Sequence, residues 1–245
     1  MIQRGNITDP NVQLVIDAMD AILVEHSETL VEKHFHPDFV QHNPWAKDGA
    51  AHVKEMCAFE FGVEMHRYVA QGDIVAYHGI YTAPNPLGDM PLLCVDLWRI
   101  QGDQIVEHWD ALQPIPAELV AAYVGGPGDG GASVDAATVA RNAALVRRVL
   151  EGTAGKDALT TAFAVQSPEG GSAESFLQWR DSRSIEIRRT LSSGDLVLAQ
   201  LDTRGDSREV VYAWFRVSEG AITHAWLVTQ AFVSDDEAAT KHPHF

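Results

Sequence analysis

A residue pattern that recurs at matched spacing in the two halves of this chain limits its fold more than any single motif does. In the first half, RYVAQGDIVAYH (67–78) is followed by DLWRIQGDQIVEHWDALQ (96–113); in the second, RTLSSGDLVLAQ (189–200) is followed by AWFRVSEGAITHAWLVTQ (213–230). Arg67 recurs as Arg189, Gly72-Asp73 as Gly194-Asp195, Arg99 as Arg216, Trp109 as Trp226 and Gln113 as Gln230. Each half opens with a helix-like stretch, beginning near Asn11 and near Asn142. Agreement over so many spaced positions reads as a duplicated domain, with a five-residue difference in one hairpin loop.

Within each copy helices come first and strands follow. Thr8 or Asp9 can cap the first helix, with Pro10 in its first turn, and Val12, Val15, Ile16, Met19, Ile22 and Leu23 form one apolar stripe at helical spacing. The segment FVQHNP reads as a short strand and DGAAHVKEMCAFEF as a second helical stretch. Four strand-like runs come next (EMHRYVA, DIVAYHGIYTA, MPLLCVDLWRI and QIVEHWDAL), separated by turns rich in Gly, Asp, Asn and Pro. This order predicts an α+β domain in which helices cover one face of a curved, mostly antiparallel sheet.

Between the halves VGGPGDGG supplies five glycines and a proline in eight positions, the composition of a flexible connection. The sequence therefore predicts a domain over 1–125, a Gly-rich linker over 126–134 and a second domain over 135–245. The acidity is uneven: 6 Lys+Arg against 18 Asp+Glu in residues 1–125, and 12 against 16 in the remainder. A net charge of −16 argues against nucleic acid or an anionic membrane as partner. There is no run of about 18 apolar residues, and MIQRGNITDP has no basic segment leading into an apolar one. With Cys57 and Cys94 as isolated thiols, these features predict a cytoplasmic protein.

The combination HNP, then R-x-x-x-x-G-D, then D-x-x-R-x-x-G-x-I-x-E-H-W-D-x-x-Q resembles the SnoaL-like polyketide cyclases of the nuclear transport factor 2-like superfamily. The resemblance covers residues 8–116 and, more weakly, 135–232. It implies two tandem cone-shaped domains forming an intramolecular pseudo-dimer, with further homo-oligomerisation left open. It also implies acid/base chemistry at carbon without metal or organic cofactor. In the cyclases the acid/base is the Asp that closes an H-x-D motif on the last strand, which falls here on Asp110. Their supporting His on the preceding strand falls here on Asp96, a departure from the family pattern.

Strand alternation and the repeat together pick out one face. Val106, His108, Asp110 and Leu112 share a face of the last strand, and Cys94, Asp96 and Trp98 share a face of the strand before it. In the second copy His108 becomes Ala225, Asp110 becomes Leu227 and Asp96 becomes Ala213, so all three polar groups of this face disappear together. A solvated surface gives no reason for such a concerted change; a pocket in one copy and a filled core in the other does. Arg67, Asp73, Arg99, Trp109 and Gln113 persist in the copy without the polar face and read as architectural. Asp110, His108 and Asp96 are thus the candidate catalytic residues, and His42, Asn43, His78 and Trp98 the candidate substrate contacts. Tyr77 reads as an ordinary core aromatic, and the tail KHPHF (241–245) as a mobile end or an element docked on a neighbouring lid.

Eight of the eleven histidines lie in the first half, but no H-E-x-x-H or C-x-x-C pattern is present, so the sequence predicts no metal. The expected substrate is a small, largely apolar molecule, aromatic or polyketide-like. The expected reaction is carbon–carbon lyase or aldol/retro-aldol chemistry. Isomerase, dehydratase or hydrolase chemistry on the same fold is an alternative, and a non-catalytic small-molecule-binding or scaffold protein is the rival from another class.

Overall fold

The computed structural model describes residues 7–126, 129–130, 133–167 and 171–245. The chain divides into two compact units, residues 1–117 with 233–245, and residues 118–232. This differs from the division expected at 125 and 135. Residues 118–125 group with the second unit, and the C-terminal tail groups with the first because it hydrogen-bonds to the backbone at residues 42–44. The Gly-rich linker expected over 126–134 falls partly outside the described residues.

The first unit opens with α1 (Pro10–Leu23), capped by the Asp9 carboxylate, which accepts the N–H groups of Asn11 and Val12, with Pro10 at its start. Next come α2 (Glu28–His34) and β1 (Phe35–Gln41), then α3 (Ala50–Glu55) extended by a 3-10 turn, Met56–Ala58. Four strands complete it: β2 (Val63–Gln71), β3 (Ile74–Tyr81), β4 (Leu92–Gln101) and β5 (Gln104–Pro114). They lie in the order β1-β5-β4-β3-β2, antiparallel except for the parallel β1–β5 pair. Val12, Val15, Ile16, Met19 and Ile22 of α1 join Val75, Tyr77, Cys94, Trp98 and Ile105 of the sheet in one core, so the helices cover a single face.

The second unit begins with α4 (Val120–Val124) and a two-residue strand, β6 (Asp129–Gly130). Its body is α5 (Ala136–Leu150), β7 (Leu159–Gln166), α6 (Ala173–Asp181), β8 (Ser184–Ser193), β9 (Leu196–Arg204), β10 (Arg208–Ser218) and β11 (Ala221–Ala231). The sheet order, β7-β11-β10-β9-β8, is that of the first unit, again with one parallel pair. Register irregularities recur at equivalent places: before Arg67 and before Arg189, and after Arg99 and after Arg216. Asn11 donates to the Gly72 carbonyl and Asn142 to the Gly194 carbonyl, so each first helix is tied to the same hairpin turn. The second helix, however, starts at Ala136, six residues before Asn142, where Asp135 accepts the Thr138 N–H as its cap. Among the described residues no helix is long and apolar enough to cross a membrane.

Candidate active site

The β4–β5 register sets Asp96 opposite Asp110 and Trp98 opposite His108. All four side chains are buried, on the helix-covered face. In the second unit the same register pairs Ala213 with Leu227 and Phe215 with Ala225, and these four belong to its apolar core. The positions that form a polar face in the first unit are thus packed apolar interior in the second.

Hydrogen-bond accounting assigns the protons. Gln41, at the end of β1, accepts the Asn43 N–H through Oε1 at 2.9 Å, which fixes that atom as the carbonyl oxygen. The contact of 3.0 Å between His108 Nδ1 and the same oxygen therefore requires Nδ1 to donate. Nε2 of His108 lies 3.0 Å from Asp96 Oδ1, which also accepts the Tyr81 hydroxyl at 2.8 Å. A proton on Nε2 as well as on Nδ1 would close a buried ion pair between His108 and Asp96. Trp98 stacks on it with ring centroids 3.7 Å apart, a favourable seat for a cation on an indole face. Burial and then the Asp96 carboxylate hold the Tyr81 hydroxyl well above its ordinary pKa, so it remains a donor. The departure from the family pattern thus has a simple geometry: at position 96 the carboxylate accepts, and the imidazole that donates is His108.

Asp110 is the second acid. Its Oδ2 accepts Asn43 Nδ2–H at 2.7 Å, whereas Oδ1 is buried without a hydrogen-bond partner. Burial raises its pKa from 3.8 to about 6, opposed by the charge of His108, assisted by that of Asp96 and opposed again by the bond from Asn43. Near neutrality this carboxylate is mostly ionised yet close to the pH at which it takes up a proton. That is the property a general base needs.

These groups stand at one wall of a cavity of about 390 Å³. Apolar side chains from every layer of the unit line it: Met19 and Ile22 of α1, Phe35 and Phe39 of β1, Val53 of α3, and Leu92 and Trp98 of β4. Gln41, Asn43, Tyr81, His108 and Asp110 supply the polar wall, and Trp45, Phe59 and Leu87, each largely exposed, stand along the lining as well. Asp96, His108 and Asp110 present ligand atoms within 4.8 Å of one another and are the residues that could hold an ion. Both ring nitrogens of His108 already have hydrogen-bond partners, so ligation would require His108 to be freed from Gln41 or Asp96.

Two of the expected substrate contacts lie elsewhere. His42 follows the inward-facing Gln41 and points to the opposite side of the sheet. There its Nε2 meets Glu107 Oε1 at 2.8 Å and its ring stacks on Trp109 at 4.7 Å. Burial lowers its pKa, against the pull of Glu107. His78 opposes Val95 and not Asp96, so it too faces away from the cavity, hydrogen-bonded to the Arg67 guanidinium. Burial, then Arg67, holds it neutral. Tyr77, opposite Asp96, occupies the site face instead. Gln41 and Tyr81 are the contributors that the sequence analysis missed. The tail is not a mobile end but docks: His244 N–H donates to the His42 carbonyl at 2.8 Å.

The sequence profile of the SnoaL-like domain matches residues 15–108. No curated protein matches the chain. Among solved structures the chain is similar to an LEH-like epoxide hydrolase from M. tuberculosis, at 15% identity over 42% of this chain and 82% of that one, with a TM-score of 0.37. It is similar to TsrD from Streptomyces laurentii, at 15% identity over 49% and 98%, TM-score 0.37. An NTF2-like protein of unknown function from Burkholderia pseudomallei is similar at 17% identity over 43% and 92%, TM-score 0.38. The profile match and the architecture coincide: residues 15–108 match the SnoaL-like domain, within a unit whose helices cover one face of a mixed sheet.

Proposed function

We propose that the first unit is a cofactor-independent acid/base enzyme acting at carbon on a small, largely apolar molecule, aromatic or polyketide-like, with Asp110 as the proton carrier. The observation that carries this reading is a buried carboxylate with one unpartnered oxygen, protonating near pH 6, at the wall of a mainly apolar cavity. The preferred reaction is aldol or retro-aldol chemistry. In the cleavage direction Asp110 takes the proton of a β-hydroxyl group. The carbon–carbon bond then breaks, its electron pair passes into an enolate, and the proton returns to the enolate carbon. Every atom and electron is accounted for without oxidant or metal. Asn43 uses one amide proton on Asp110 and has a second to offer a substrate oxygen. His108, held between Gln41 and Asp96, acts on the charge of Asp110. Isomerisation would use the same carboxylate to carry a proton between two carbons of one substrate.

The test starts from the small molecule that copurifies with the protein, identified by mass spectrometry and offered as substrate or product. Asp110→Asn should lower kcat by about 10²–10⁴-fold, the typical worth of general acid/base catalysis. Retention of near-full turnover would remove Asp110 from the role. A bound molecule that the wild-type protein never transforms would favour the binding-protein reading.

A further inference from the structure

The stretch from Gln41 to Asp48 delivers two side chains to the site, yet only Gln41 belongs to a strand, and α3 does not begin until Ala50. Part of its support is local. Asp48 Oδ1 accepts the Gln41 N–H at 2.9 Å, and Asn43 Oδ1 accepts the Trp45 N–H at 2.8 Å. The carbonyl groups along the same stretch are held from much further along the chain. Ala239 N–H donates to Pro44 O at 2.7 Å, His244 N–H to His42 O at 2.8 Å, and the Thr240 hydroxyl to Gln41 O at 2.6 Å.

Thr240 is the member of this set that bears directly on the chemistry. It is buried, it accepts the His242 N–H at 3.2 Å, and its oxygen lies 3.3 Å from Asp48 Oδ1, the atom that also holds the Gln41 N–H. The Thr240–Asp48 pair therefore grips both the N–H and the C=O of Gln41. The Gln41 side chain in turn is the shared acceptor for His108 Nδ1–H and Asn43 N–H, and Asn43 reaches Asp110. A tilt of one peptide unit at Gln41 would lengthen both bonds at Oε1, since a single atom accepts them.

We propose that Thr240 is a positioning residue of this site, acting through Gln41 to fix His108 and Asn43. Its consequence for catalysis rests on the functional reading given above, but the positioning itself is testable without a substrate. In the full-length chain labelled with 15N-histidine, His108 Nδ1–H, assigned with a His108→Gln variant, should give a proton resonance that exchanges slowly with water. Thr240→Val preserves volume and removes the hydroxyl, and it should accelerate that exchange about tenfold, the order expected for one lost hydrogen bond. Thr240→Ser should restore the wild-type signal. Gln41→Leu should abolish the slow signal by itself, and Thr240→Val added to it should change nothing further. The proposal is overturned if Thr240→Val leaves the resonance unaltered or if Ser fails to rescue. Because none of these readouts is turnover, an Asp110→Asn variant that kept its activity would refute the enzymatic role and leave this result standing.

Discussion

Replacing Asp110 by Asn should stabilise the protein while it removes the proton carrier, and the gain should build up over a defined pH range. In the folded chain Asp110 keeps its proton up to about pH 6, against an ordinary value of 3.8. Between those values the folded state binds more protons at this position than the unfolded state does. Stability therefore falls as pH rises through the interval. Below about pH 4 both states carry the proton and the site costs nothing; above about pH 6 both are ionised and the full cost is present. An interval of just over two pH units, at 1.36 kcal/mol each, corresponds to about 3 kcal/mol. Asn has nearly the same shape, and its carbonyl oxygen can accept the Asn43 amide as Asp110 Oδ2 does. It never ionises, so it avoids the cost altogether. Urea unfolding of both proteins, followed through NMR signals from β4 at closely spaced pH values, gives the difference in stability, in which the titrations of groups that do not interact with Asp110 cancel. The advantage of Asn should grow from pH 4 to pH 6 and hold level above pH 7. A difference that is flat across this range, or a wild-type protein relatively more stable at pH 8 than at pH 4, would show that Asp110 is not a desolvated acid.

Two further outcomes separate the units and the chemistry. Leu227→Ala, at the position equivalent to Asp110, should destabilise the second unit by about 2–5 kcal/mol through a cavity and leave turnover unchanged; calorimetry and the activity assay check it together. Activity should survive exhaustive chelation, with no stoichiometric transition metal on elemental analysis; loss with EDTA and recovery with one divalent ion would assign Asp96, His108 and Asp110 to a metal instead.

Strand alternation made most of the candidate site legible. Asp96, Trp98, His108 and Asp110 lie in the two central runs, where a period of two assigns the face and the apolar second copy states which face is interior. The same rule, applied from Gln41, would have turned His42 outward. Applied to β3, with Tyr77 facing in, it would have turned His78 outward as well. Two histidines were favoured for their chemistry over their parity. The same parity turns Tyr81 inward, but its contact with Asp96 was harder to foresee, because ten residues separate β3 from β4 and the register across so long a loop does not follow from local pattern. Gln41 carries no signal in its own residue type; its importance arises from the parallel pairing that brings it beside His108. The place where the tail docks was left open because a polar segment rich in histidine gives no local hint of what its backbone will bind.

The return of residues 233–245 to the first unit has a consequence for how the protein is made. Gln41 and Thr240 stand 199 positions apart. At translation rates of roughly 5–20 residues per second, some 10–40 seconds separate their synthesis. Throughout that time the nascent chain can complete β1 to β5, because those pairings need nothing beyond Pro114. It then holds every acidic and imidazole group of the site while the Gln41 carbonyl still faces water. A ribosome-bound or proteolytically clipped chain that lacks Thr240 would thus display the sheet and the cavity without the hydroxyl that holds the Gln41 carbonyl, so synthesis of residues 233–245 sets the moment at which the site gains that support.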